Sequence, residues 1–553
     1  MTSDAPLRRR LRGSSGGAPD LPTLAWLLAM AIAAAYVVVF VLSLSHNLTR
    51  LAWNPSVSSA FTMPETLART GMGGPTAMGS TPQWVSLWFG LLTATLPLHR
   101  PLWEVAPTLL FVGTSLIVGW TVRQLAGRRA AILAVAIGVV ASPLALTFFM
   151  APFSHNTIYP CTALLDVYLI WLARARPRRR LAAIVVPVLL GIVVGTCLSS
   201  DTLLAVTAMA PLGLAALLAA SRRERSSVPL VLSVLATIVI AIPVAKVTTS
   251  IMTSAGYFTL PSPITIASIG ELPARAQLLF KGLQILFNGY LGFEKPGVLH
   301  TELGIACDIV MSAALVALLV IGARAVSRLI VAAARRDTVR QDSGELTRSL
   351  HIVYWVSAAV LPAGAFWVAG EGATTTHESY YATAIFAVAA VLPLLFSDSR
   401  VARVLIPAGA SVVFAASLVG LKDNYINIST RLARSAPLIA KIAAANHVQA
   451  GYANWEDASP LTWSSHYRVT VRPIVECEFE EHEDICPGFQ AYVPSWYVPR
   501  QRRTFLLVEA NGVDLSAAPA SLGKPLAVYK FGPMKMYIYP YDIATRFGPP
   551  TIQ

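Results

Sequence analysis

The chain has 553 residues, of which 55% are hydrophobic and 13% charged, with a mean hydropathy of +0.59. Soluble domains carry about twice that share of charge, so an ordinary soluble protein is excluded. The net charge of +14 would suit a nucleic-acid binder only if the basic residues formed one surface, and instead they stand in short clusters beside apolar runs.

Eleven of these runs are long enough to cross a bilayer core of about 30 Å: 24–44, 104–122, 130–150, 158–173, 181–198, 202–220, 228–247, 303–323, 351–369, 380–396 and 401–421. They predict an α-helical polytopic membrane protein whose termini lie on opposite sides. The basic tail 1–23 and alternate loops carry 23 arginines, against seven basic residues in the other loops. Short basic loops stay cytoplasmic, so the amino terminus is predicted inside and the carboxyl terminus outside. The first run is longer than a signal-peptide core and no A-x-A-like site follows Ser43, so it is read as a retained anchor.

Carboxylates are costly within a bilayer, and where they gather indicates where polar chemistry is done. With this topology the outer loops and outer span ends hold Glu65, Glu104, Asp201, Glu271, Glu294, Glu302, Glu371 and Glu378, together with His155, His300 and His377. A polar substrate is therefore expected on the outer face. Loop 45–103 carries Trp53-Asn54-Pro55-Ser56, Glu65, Arg69 and the run Trp84-Val85-Ser86-Leu87-Trp88-Phe89, which is too short before Pro97 to span and is predicted to lie along the membrane surface. Loop 248–302 carries Arg275 and Lys281, with helical spacing over 277–287. That run either guides a lipid tail or packs on the bundle as a surface helix.

Glu371, His377 and Glu378 fall in a short outer turn. Solvation explains each of them singly, while their coincidence with Asp201, at a junction of two spans, makes them substrate-binding candidates. His377-Glu378 is not a metalloprotease motif, because no second histidine follows. Asp166 lies mid-span and must be partnered or protonated. Packing is its commoner explanation and a proton relay the other.

From Lys422 the composition changes: residues 422–553 hold 13 basic and 12 acidic side chains and no spanning run. They predict a soluble α/β domain on the outer face, with a helix over 430–446 and strands at 467–471, 504–508, 526–529 and 534–539. Cys477 and Cys486 are remote from the spans and are expected to form a disulfide in an oxidising compartment. Zinc, with His482 between the two cysteines, is the competing reading and lacks a full ligand set.

An inside amino terminus, a long polar first outer loop with a surface helix, a second long outer loop after the seventh span and an outer α/β domain together resemble the type C glycosyltransferases. Trp53-Asn54-Pro55-Ser56, Ser154-His155-Asn156-Thr157, Ser200-Asp201 and Gly451-Tyr452-Ala453-Asn454-Trp455 add to the resemblance. It implies a transmembrane bundle over 24–421, a polyprenyl-phosphate-linked sugar as donor and a cell-envelope glycan, lipid or protein as acceptor. Membrane lipid is the surrounding partner, and nucleic acid is not one. A general base is implied, for which Glu65 or Asp201 stands, with His155, Arg69, Arg275 and Lys281 for the leaving phosphate. No cofactor is required, and a divalent metal is compatible.

One departure concerns the base. Such enzymes carry an acid early in the first outer loop, where this chain has Asn54-Pro55-Ser56, and Glu65 is the only acid in the loop. The departure keeps two other classes in view. One is a transporter or flippase of a lipid-linked sugar, although no internal repeat is visible; the other is a non-catalytic envelope scaffold.

Overall fold

The computed structural model describes residues 20–51, 55–77, 84–94, 96, 99–150, 154–174, 180–221, 227–259, 265–289, 298–334, 343–369, 381–423, 430–479, 482–488, 492–509 and 517–550. Helix α1 (Leu21–Leu51) leads into the first long loop, which holds α2 (Pro55–Thr70), the short strand β1 (Thr76–Ala77) and α3 (Trp84–Thr93). The bundle continues with α4 (His99–Ala126), α5 (Arg128–Val139), α6 (Pro143–Met150), α7 (Ile158–Arg174), α8 (Arg180–Ser200), α9 (Ala210–Ser221) and α10 (Val228–Ser254). Strand β2 (Tyr257–Phe258) and α11 (Leu272–Leu286) occupy the second long loop. Helices α12 (Val298–Ala334), α13 (Ser343–Val368), α14 (Thr383–Val391) and α15 (Ala402–Asp423) complete the bundle.

Helix accompanies all eleven apolar runs. Among the described residues, six helices are long and apolar enough to cross a membrane: Leu21–Leu44, Leu102–Ala126, Val228–Ser254, Thr301–Ala334, Gly344–Val368 and Ala402–Leu421. Their outward faces are apolar, for example Leu28, Val38 and Leu42 on α1 and Ile305, Ile309 and Val316 on α12. Continuous apolar exposure of this kind fits a multi-pass membrane protein.

The run 130–150 is not one continuous helix but breaks at 140–142. Ser142 caps the start of α6 by accepting from Ala145 N–H (3.0 Å), and its hydroxyl donates to Ile285 O (2.6 Å), tying the break to α11. Pro143 follows at a position where its missing N–H costs nothing. The run 202–220 opens as a π-helical turn, Ala205–Met209, and the run 380–396 closes as a 3-10 turn, Leu392–Phe396.

Several arginine-bearing helix ends are tied to their neighbours. Trp26 at the start of α1 donates to Arg129 O (3.3 Å), Arg174 reaches Gln124, and Arg348 forms a two-pronged pair with Asp398 at 3.0 and 2.5 Å. The two long loops meet the carboxyl-terminal domain. β1 pairs with β2 in parallel, Ala77 bridges to Tyr492, and Ser495 bonds to Gly71 and Met72. Met63, Leu67, Trp84, Leu87, Met252, Tyr257, Val493 and Trp496 bury one another between these pieces. Both loops and the domain thus form a single cap.

The domain contains α16 (Thr430–Ala445), β3 (Ala450–Ala453), α17 (Trp455–Ser464), β4 (Thr470–Phe479), β5 (His482–Pro487), β6 (Thr504–Glu509), β7 (Ala527–Phe531) and β8 (Met534–Tyr539). The sheet order is β5-β4-β3-β6-β8-β7, with β4, β3 and β6 parallel and the outer pairings antiparallel. β3 runs so close to its neighbour that a Cβ on Gly451 would stand 2.3 Å from the Phe505 ring.

The strand expected at 467–471 starts instead at Thr470. His466 and Tyr467 take left-handed backbone (φ 54° and 57°), which ends α17 and cannot continue a strand. Cys477 and Cys486 are bonded across β4 and β5, with Cα atoms 5.9 Å apart. That bond uses both sulfurs and leaves none for zinc.

Candidate active site

His155 sits on a 3-10 turn, Ser154–Thr157, that runs directly into α7. Asp201 follows the last residue of α8. The two meet with His155 Nδ1 2.6 Å from Asp201 Oδ2, while Asp201 Oδ1 accepts the Leu203 N–H at 3.0 Å. Both carboxylate oxygens are therefore held, and the Asp201 side chain is only 3% exposed against 16% for His155. An aspartate this buried is stabilised by those two bonds rather than by water. Where Nδ1–H donates to Asp201, Nε2 is the ring nitrogen turned to proton exchange. Such an arrangement can serve as an oriented base with its orienter behind it.

The first loop reaches this junction directly. Ser200 Oγ accepts the N–H of Val85 (3.3 Å) in the first turn of α3, where the helix has no carbonyl partner of its own to offer. On the same helix, Trp88 donates to Met252 Sδ (3.3 Å) and Trp84 stands edge-on to Tyr257 (6.2 Å between centroids). Helix α3 is thus pinned to the ends of α8 and α10.

Glu65 and Arg69 form an ion pair one turn apart on α2, and the Arg69 guanidinium lies 4.9 Å from the Tyr467 ring centroid. That geometry ties both residues to the contact between the first loop and the carboxyl-terminal domain. Arg275 is buried on α11 and Lys281 half-buried further along the same helix. Helix α6 packs against the His155 turn and also against α11, the helix that carries both cations. Glu371, His377, Glu378, Trp53 and Asn54 lie outside the described residues.

One pair is not legible in the sequence. Asp166 is fully buried against His351 of α13, whose Nδ1 lies 2.8 and 2.9 Å from the two carboxylate oxygens and whose Nε2 faces Ala390 O at 3.2 Å. With an acceptor at each ring nitrogen, the pair clamps α7, α13 and α14 together. The mid-span charge of Asp166 is the available signal, but its partner lies 185 positions away.

No protein-family model matches the chain, and no curated protein matches it. Among solved structures it is similar to the oligosaccharyltransferase of Archaeoglobus fulgidus in its apo form, at 12% identity and a TM-score of 0.45 over 81% of this chain and 64% of that one. The same enzyme with zinc and sulfate gives 12% identity and a TM-score of 0.41, and the chain spans 62% of its length. The enzyme ArnT from Cupriavidus metallidurans, bound to undecaprenyl phosphate, gives 14% identity and a TM-score of 0.41 over 93% of this chain and 99% of that one. At these scores the likeness is no guide to residues or reaction.

Proposed function

We propose that the chain is a membrane glycosyltransferase that moves a sugar from a polyprenyl-phosphate donor to a cell-envelope acceptor on the outer face. The observation that carries this reading is the His155–Asp201 dyad, held where two spans end and where the first-loop surface helix docks. The arginine rule assigns the opposite end to the cytoplasm, which leaves the dyad, the cap and the disulfide-bonded domain outside.

In the proposed reaction the acceptor oxygen attacks the anomeric carbon as the bond from that carbon to the phosphate oxygen breaks. The electron pair leaves with the polyprenyl phosphate, and the acceptor proton passes to His155 Nε2. Asp201 supports the imidazolium that forms, as the carboxylate of a triad does. Arg275 and Lys281 supply positive charge for the departing phosphate, and the tryptophans of α3 line the path of the lipid. This reading makes Asp201 the orienter and His155 the base, with Glu65 serving the cap.

Among the described residues no group of three or more His, Cys, Asp or Glu side chains converges, and both oxygens of Asp201 are already engaged. No step here runs through a metal. A flippase would need its intramembrane carboxylate to exchange partners, whereas Asp166 is held on both oxygens by a fully buried histidine.

The test is purified protein in lipid nanodiscs with a panel of polyprenyl-phosphate sugars, scored for transfer and donor hydrolysis. His155→Ala is expected to lower turnover by roughly 10²–10⁴, as loss of a general base does, with donor binding retained. Wild-type protein that binds donor but neither transfers nor hydrolyses it would favour the scaffold, and donor movement between leaflets without chemistry the flippase.

A further inference from the structure

We infer that Asp308 and Asn288 form a site for a single alkali cation where α11 ends against α12. Helix α11 stops at Leu286 in a Schellman-type turn: Asn288 takes left-handed backbone (φ 63°), and the Gly289 N–H returns to Gln284 O at 2.8 Å. The Asn288 amide donates to α15, with Nδ2 2.8 Å from Ser417 Oγ and 3.3 Å from Val413 O. Because Val413 O can only accept, the amide has one possible orientation, and its Oδ1 is turned from those two partners. Asn288 is 1% exposed, and among the described residues its Oδ1 has no hydrogen-bond partner.

The next residue lies directly on α12. A Cβ on Gly289 would stand 1.8 Å from Asp308 Oδ1, and a Cβ on Gly304, one turn earlier on α12, 3.0 Å from Gly289 O. Asp308 Oδ2 accepts from Gln284 Nε2 at 2.7 Å, which fixes the carboxylate. Its Oδ1 is enclosed over the backbone that follows Asn288, and it too has no hydrogen-bond partner among the described residues. No ion pair of the described residues includes Asp308.

Asp308 lies seven positions into the span that begins at Thr301, about 10 Å below its outer end by the rise of a helix. A carboxylate at such a depth must be paired or neutralised. The groups around it accept rather than donate: the amide oxygen of Asn288, its own free oxygen and the carbonyl end of α11, whose dipole favours positive charge. Oxygen donors of this kind suit a hard cation. One carboxylate beside a neutral amide balances the single charge of an alkali ion, whereas a divalent ion keeps half its charge. Interrupted helices in membrane transporters offer sodium the same kind of carbonyl end. The ion ties the end of α11 to α12 and, through Asn288, to α15. Neither residue takes part in the reaction proposed above.

The test uses the full chain in nanodiscs in choline chloride, titrated with sodium or potassium chloride at constant ionic strength. The thermal midpoint should rise with the logarithm of alkali concentration, and amide hydrogen exchange over 283–289 and 304–310 should slow. Asp308→Asn removes the charge at nearly constant shape and should lose both responses. Asn288→Ala keeps the carboxylate and should raise the half-effect concentration about 10-fold, the low end of what losing a supporting group costs a metal site. Should Asp308→Asn fail to fold, Asn288→Ala decides alone, and an unchanged half-effect concentration counts against the site. Identical melting and exchange in sodium, potassium and choline overturn the inference, as does an alkali response that survives in folded Asp308→Asn. Melting that follows pH but not alkali ions assigns Asp308 a proton instead and overturns it equally.

Discussion

Raising the pH from about 4 to 8 is expected to weaken the carboxyl-terminal domain through one side chain, Asp457. It lies in the first turn of α17 at 5% exposure, and among the described residues its Oδ2 has no hydrogen-bond partner. Burial chiefly, and then the charges of Glu509 and Glu456, push its carboxyl from the ordinary 3.8 up to about 7. The unfolded chain releases this proton near pH 4 and the folded domain near pH 7, so between those values the folded state holds more protons. Stability therefore falls as pH rises through that window and levels off above it. A displacement of about three pH units at about 1.4 kcal/mol each bounds the loss at about 4 kcal/mol, and local relaxation makes the true value smaller. Asp457→Asn removes the titration at nearly constant volume. The assay is pulse proteolysis of the full chain in nanodiscs from pH 4.5 to 8, following cleavage within 430–550. The variant should gain on the wild type steadily up to about pH 7 and hold a constant lead beyond it. A difference independent of pH, or one that shrinks as pH rises, refutes the assignment.

Removing His351 tests the buried clamp. His351→Ala should cost about 3–5 kcal/mol by stranding Asp166, and adding Asp166→Asn should restore most of it, read as melting in detergent; equal melting of wild type and single variant would mean that the pair is not holding the helices. Gly451→Ala drives a methyl into the Phe505 ring and should cost about 1–3 kcal/mol in the pulse-proteolysis assay. A neutral result there would show that β3 and β6 can separate. In the transfer assay Asp201→Asn should lose turnover with His155→Ala, while Glu65→Gln keeps nearly all of it because Glu65 pairs with Arg69 in the cap. Loss confined to Glu65→Gln would move the base to the first loop.

The bundle is legible because lipid tolerates little else: a run such as 228–247 or 401–421 must be helical to satisfy its own backbone. What periodicity cannot show is where a helix breaks. The Ser142-Pro143 start signal is present in the run 130–150, but apolar continuity outweighs it, and the π turn at Ala205–Met209 carries no comparable mark. His155 and Asp201 are each visible as outer polar residues. Their contact is not, because it spans 46 positions and depends on how α7 and α8 lean at their ends. The strand misplaced at 467–471 has the same origin: the alternation is present, but the left-handed exit from α17 at His466 and Tyr467 depends on packing that the local pattern does not encode.

In the proposed reading the base is His155 and not a first-loop carboxylate, since the stretch Asn54-Pro55-Ser56 offers none. A base on a loop must be ordered by the loop before it can be aimed, whereas His155 stands on a turn continuous with α7 and is aimed by an aspartate anchored at the end of α8. Groups on rigid elements hold their aim better. The first loop acts instead as a connector, fastened to Ser200 through α3 and reaching the second loop and Tyr492 of the domain through β1. The domain and the dyad are thus joined through backbone bonds of the first loop, so an acceptor bound by the cap would be positioned with respect to His155 without any carboxylate in that loop. Shortening the link by deleting Thr76–Ala77 should therefore raise the acceptor KM more than it lowers donor binding. Equal effects on both would mean that the cap holds the lipid rather than the acceptor.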